Sequence, residues 1–145
     1  MRARLLDTLE GRRSFAVVFA PGEEVTEGLL RLAREEQLQG SHFAGIGALQ
    51  DVVLGYWDPD TKDYRRIPIR EQVEVLSLIG NLARGPDGKP KLHAHLVVGK
   101  ADGTAHGGHL LEGHVHPTLE LVVTELPKQL QRHLDPDTGL PLLVP

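Results

Sequence analysis

After Gly40 the chain offers no second convincing helical stripe before its proline-rich tail, only short β-branched and apolar runs separated by glycine, proline and aspartate. A chain written this way has to bury its apolar residues on a sheet, with one helix to cover it. The helix lies upstream. Ser14 to Ala20 reads as a strand stopped by Pro21 and Gly22. From Glu23 to Gln39, Val25, Leu29, Leu30, Leu32 and Ala33 then recur at helical spacing. Glu23 and Glu24 stand at the end of that helix where the dipole favours acids, and Gly40 is placed to end it.

The strands follow in series. His42 to Leu49 and Asp51 to Trp57 read as two strands, or as one strand bent where Gly45 and Gly47 relax it. Asp58-Pro59-Asp60-Thr61 is a turn, with a return strand from Tyr64 to Ile69. Glu71 to Gly80 is a strand that becomes wholly apolar, and Asn81 to Pro90 reads as a loop around Gly85-Pro86-Asp87-Gly88. Leu92 to Gly99, Thr104 to Leu111 and Thr118 to Leu126 complete the series. Gly113 and Pro117 place His114 and His116 in a loop, and the tail from Pro127 is expected to wrap over the surface. The expectation is an antiparallel α+β fold: one curved, barrel-like sheet with one main helix packed on it. It divides into an N-terminal segment, 1–12, a single domain, 13–126, and a packed tail, 127–145.

Composition then narrows the chemistry. At 145 residues the chain is one domain in length, with 40% apolar and 25% charged residues, enough for a core. It contains no cysteine, which removes disulfides, thiolate metal sites and cysteine nucleophiles. It contains eight histidines, six of them between positions 93 and 116. The net charge of −4 speaks against a duplex-DNA binder, whose affinity comes from neutralising phosphates. Neither a secretory leader nor a membrane-spanning run is visible, so a cytoplasmic location is expected. Abundant Leu, Arg and Pro beside a single Met suit a thermophile.

His93 and His95 are two apart on a strand, so both rings leave one face about 7 Å apart along the backbone and can converge on one ion. The third ligand depends on hairpin register. A connecting loop of three or five residues puts His109 on their face, and a loop of two or four puts His106 there. Gly103 suits a three-residue loop with a glycine bulge, which favours His109. Gly107 and Gly108 leave room beside it for a backbone or a ligand. Three imidazoles without thiolate or carboxylate suit Zn²⁺ first, with nickel or iron as alternatives, and leave a fourth position open.

A lone His-x-His pair is more often two surface or core histidines than a metal site, and it is the third histidine that raises the metal reading. His114 and His116 form a second pair, able to complete the site or to act across a subunit contact. His42 and His133 read as structural or solvated. Glu74 is the candidate acid or base, otherwise a charged residue on the open sheet face, as is Glu120. Arg12-Arg13 is too short for a nucleic-acid arm, and Tyr64-Arg65-Arg66 reads as a solvated hairpin edge. No phosphate loop, dinucleotide fingerprint or nucleophile elbow is present.

An ordered series of short motifs resembles the PPC, or "plants and prokaryotes conserved", domain. The series is Phe19-Ala20-Pro21-Gly22-Glu23, Gly45-Ile46-Gly47-Ala48, Glu74 through Asn81, His93-Ala94-His95, Gly107-Gly108-His109-Leu110 and Glu120-Leu121-Val122-Val123. The resemblance runs from about residue 13 to 126. It implies a compact α+β domain, normally a homotrimer, of the free-standing prokaryotic type, with a metal site at His93, His95 and His109. Plant relatives self-associate and contact transcription regulators through this domain, while a separate AT-hook binds DNA. This chain lacks the Arg-Gly-Arg core of that hook. The fold is also similar to that of acetolactate decarboxylase, whose zinc site likewise uses a His-x-His pair and a later histidine. Three functions are therefore expected, in this order: a homotrimeric binding or regulatory module with a three-histidine zinc site and a regulatory protein as candidate partner, a zinc-dependent lyase or hydrolase acting on a small molecule, and a DNA-associated transcription regulator.

Overall fold

The computed structural model describes residues 1–144. Ten elements follow one another: β1 (Arg2–Leu9), β2 (Arg12–Phe19), α1 (Val25–Glu35), β3 (Gly40–Asp58), β4 (Asp63–Ile69), β5 (Val73–Arg84), β6 (Pro90–Gly99), β7 (Ala105–Glu125), β8 (Gln131–Leu134) and β9 (Pro141–Val144). All nine strands belong to one sheet, antiparallel except where β8 runs parallel to β5 at Arg84 and Gln131. The α+β expectation holds with the helix a minor part. The sheet curls because β3 and β7 are long enough to take partners at both ends. β3 pairs β5 and β7, β5 pairs β6, and β6 pairs the start of β7, so the pairings run partly round a ring.

Alternation along the strands sets the two faces. Phe15, Val17 and Phe19 of β2, Phe43 of β3, Leu96 and Val98 of β6, and Leu119, Leu121 and Val123 of β7 point inward and are buried. Helix α1 lays Val25, Leu29, Leu32 and Ala33 onto this core. Gly28 lets it come close: a Cβ there would lie 2.2 Å from the Phe19 ring.

Several boundaries differ from the sequence expectation, each for a local reason. The helix is shorter. Glu24 caps it by accepting the N–H groups of Thr26 and Glu27, and Gln37, at φ 54°, supplies the left-handed exit that Gly40 was expected to provide. Gly40 already belongs to β3, where a side chain would strike the backbone at Leu130. β3 is one strand bent by a register shift between Gly45 and Gly47, the second of the two readings. Asn81 to Arg84 extend β5, so the loop is only 85–89. β7 runs unbroken through Gly113 and Pro117, which places His114 and His116 in a strand, not a loop. Outside the expected domain limits, residues 2–9 pair with β2 across a Glu10-Gly11 turn in which both residues have positive φ, the requirement of a two-residue hairpin. The tail is a β8–β9 hairpin.

Arg13 locks one end of the sheet. Its guanidinium donates to both carboxylate oxygens of Glu125 at 2.9 and 3.1 Å, and to the side chain and carbonyl of Glu36 at 3.0 and 2.8 Å. The hydrogen bonds from Arg13 hold Glu125 below the ordinary glutamate pKa. A depressed folded pKa means stability that is present above the unfolded value, about 4.3, and lost as pH falls through the folded one. Glu125→Gln is expected to cost about 1–2 kcal/mol at neutral pH and to flatten this part of the acid limb in urea melts taken between neutral pH and about pH 3. An unchanged acid limb would remove this role for the pair.

Candidate metal centre

The β6–β7 turn decides which histidines meet. Lys100 N–H donates to Thr104 O at 2.9 Å across Ala101-Asp102-Gly103, and Gly103 has φ 83°. This is the three-residue loop with a left-handed glycine, and its parity sets His95 directly opposite His109. His106 pairs with Val98 and belongs to the other face. Gly108 is required nearby: a Cβ would lie 2.8 Å from the Gly55 carbonyl, so what approaches the glycine pair there is the backbone of β3.

His93, His95 and His109 each bring one ring nitrogen into a group whose members all lie within 4.8 Å of one another. Their ring centroids are 5.1, 5.1 and 5.6 Å apart, and the Nε2 atoms of His93 and His95 approach to 3.2 Å. Burial pushes the His109 pKa down to about 4, with His93, His95 and Arg132 adding to the effect. Burial, then Arg132 and His95, lowers that of His93. Two neutral rings thus turn lone pairs toward one point, and the buried Nδ1 of His109 has no hydrogen-bond partner. Three imidazole donors converging without a shared cation fit a divalent ion of nitrogen preference. Among the described residues no carboxylate joins this group of ligand atoms.

The other candidates lie elsewhere. Glu74 is exposed and pairs with Ala48 and Gly99. It stands five residues along β5 from Ile79, the residue facing His95, or about 16 Å at the usual strand rise. Glu120 is exposed on β7 opposite Val18 and Ile46. His114 bonds Asp51 through Nδ1 at 2.8 Å, and the bond raises its pKa. His116 is exposed, as is His133. His42 sits opposite Asn81, itself opposite His93, so it shares an open groove with His93 and His95.

Two residues beside the cluster escaped sequence reasoning. Tyr64, expected at a solvated edge, stacks on His109 at 4.6 Å and 23°. Arg132, from the tail, is buried and donates to Asn81 and to the Pro141 carbonyl. Tyr64 gave no signal: its parity on β4 is that of exposed Arg66 and Pro68, so it reads as a solvated position until β4 docks beside His109. Arg132 had none, because nothing in a short proline-flanked run foretells its docking.

A ring-like sheet covered by one helix, with three imidazoles converging on its outer face, defines a small domain built around a candidate metal centre. The chain belongs to the Plants and Prokaryotes Conserved (PCC) domain family, which matches residues 7–127. Among solved structures, a plant- and prokaryote-conserved protein from Pyrococcus horikoshii superposes with a TM-score of 0.86 at 30% identity, over 99% of this chain and 95% of that one. The metal-containing protein AF0104 from Archaeoglobus fulgidus gives 0.84 at 30% identity, over 99% and 97%. A protein from Ralstonia eutropha JMP134, described as a candidate DNA-binding protein, gives 0.83 at 32% identity over 90% of each chain. Among curated proteins, the bifunctional protein GlmU of Synechococcus sp. (strain JA-3-3Ab) is 35% identical over 130 residues, 88% of this chain. The chain spans about a fifth of the length of the curated relatives it matches.

Proposed function

We propose that this protein is a self-associating binding or regulatory module, a homotrimer in the manner of the family it resembles, in which His93, His95 and His109 hold a zinc ion. The observation that carries the reading is the convergence of three ring nitrogens within 4.8 Å of one another. The similarity to a protein named as metal-containing agrees with it. The occurrence of a related stretch as one part of a much longer bifunctional protein suits a module attached to other activities. Elemental analysis of protein prepared without a histidine tag tests the centre: about one zinc per chain is expected, and metal-free protein after dialysis against zinc-containing buffer would overturn it.

Self-association has its own support. Ala16, Val122, Ala44, Ile79, His95 and His109 form one row of paired residues across the outer face of the sheet. Around that row Ile46, Leu76, Ile79 and Val122 are 64, 54, 56 and 51% exposed. A contiguous apolar face of this kind marks a protein contact.

A zinc lyase or hydrolase is the second reading, favoured by the open grooves on either side of His93. A bound zinc with a free position would polarise a substrate oxygen or acidify a water. The partner acid would have to come from outside the group, since Glu74 is remote. DNA association ranks third. An electrostatic binder loses affinity steeply with salt. With a net charge of −4, the expected result is no saturable binding to duplex DNA in fluorescence anisotropy between low and physiological salt. Saturable binding that weakens with salt would reverse the ranking.

A further inference from the structure

Strand β1 has no covering within its own chain. All eight of its residues are exposed, and Leu5, Leu6 and Leu9 are 50, 55 and 61% exposed. Among the described residues it pairs only with β2, at the end of the strand order, and it adds nothing to the core. An edge strand of this length, carrying leucines and a free row of backbone groups, is a surface that proteins cover or pair. It also carries charge. Arg2 and Arg4 stand opposite Val18 and Ala16, which puts both on the outer side of the sheet.

The outer face offers the matching chemistry. Ala16, Ala44, Ile46, Leu76, Ile79 and Val122 border an apolar groove of about 520 Å³ that Glu120 also lines. Glu74, two residues before Leu76 on β5, is exposed as well. Among the described residues Arg2, Arg4, Glu74 and Glu120 form no ion pair. Each copy thus shows two free arginines on an apolar edge strand and two free carboxylates about an apolar groove.

Symmetry connects them. A surface that meets its own copy makes a dimer, whereas in a closed ring of three each contact joins two different surfaces of the chain. The groove is one such surface, and β1 is a second whose leucines and arginines suit it. Its length is sufficient. Eight residues span about 26 Å, and the four strands β2, β7, β3 and β5 that form the groove span about 14 Å from first to last.

We infer that β1 of each copy lies across the outer groove of the next, so that the contacts run head to tail around the ring. The inference rests on the self-association reading above and names the two surfaces that meet. The leucines of β1 cover the groove, and Arg2 and Arg4 answer Glu74 and Glu120.

Mixing two variants of the full chain tests it. Leu6→Asp damages the strand and leaves the groove; Val122→Asp damages the groove and leaves the strand. Each alone is expected to be monomeric where wild type is trimeric, a loss of about two decades or more in association. Together they retain one sound contact. Fluorescence anisotropy of labelled Leu6→Asp titrated with Val122→Asp is expected to saturate, and light scattering to show two chains, while neither variant binds a labelled copy of itself. Arg2→Glu with Arg4→Glu is expected to weaken assembly about tenfold or more, and adding Glu74→Lys and Glu120→Lys to restore it. This charge exchange decides if an Asp variant does not fold. A trimeric wild type whose Leu6→Asp variant stays trimeric overturns the inference and leaves self-association intact. So do two monomeric variants that fail to bind each other, and a charge reversal that the acid-to-lysine changes do not rescue. A wild type that is monomeric at micromolar concentration removes the self-association reading itself, and the inference with it.

Discussion

Replacing His93 or His109 by alanine is expected to lower zinc affinity by at least about 100-fold and to leave the protein metal-free after dialysis. Loss of supporting groups around a metal site already costs about 10–100-fold, and removing one of three direct donors should cost more. The same substitution at His106 should change nothing, because the β6–β7 register turns that ring to the opposite face. His114→Ala should spare the metal too, since its Nδ1 is engaged with Asp51. Chelator competition on the four variants, with circular dichroism to check folding, separates the cases. Equal metal content in all four would sink the centre, and loss only in His114→Ala would move it to the other histidine pair.

The second large effect is expected in assembly. Val122 and Ile79 lie in the outer row and are half exposed in a single chain. If that face is a subunit contact, Val122→Asp places an unpaired charge in it, at about 3–5 kcal/mol per contact, or roughly two to four decades in association constant. Light scattering on eluting protein should report a trimer for wild type and a monomer for Val122→Asp. Ile79→Asp should do the same. Glu120→Ala, on the same face but already polar, should remain trimeric. A wild type that elutes as a monomer at micromolar concentration would remove the assembly, and an Asp variant that stays trimeric would move the contact to another face.

What could be read from residues alone was whatever local pattern controls. The helix stripe, the glycine-closed β6–β7 turn and the bend at Gly45 and Gly47 each have a local signature, and from the turn alone the parity that unites His95 with His109 follows. What could not be read depends on partners far away in the chain. Pro117 and Gly113 look like breaks in a strand, yet β7 continues through them because β3 pairs with it on both sides of its bulges. Tyr64 and Arg132 join the histidine cluster only once β4 and the tail hairpin have docked. Glu74 reads from the residues alone as an acid or base in a cleft or as a charge on the open sheet face, and only the register of β5 against β6 reveals its distance from His95.

The ring of strand pairings also has a kinetic meaning. Ser14 meets Thr124 across 110 residues of chain, so closing the sheet waits on contacts with a large loop-entropy cost, and refolding in the millisecond-to-second range is expected. The three histidines obey a different clock. All lie on one hairpin closed by three residues, and such a hairpin forms in about 1–10 μs. The three rings can therefore come together in a fragment of the fold, before the sheet has closed.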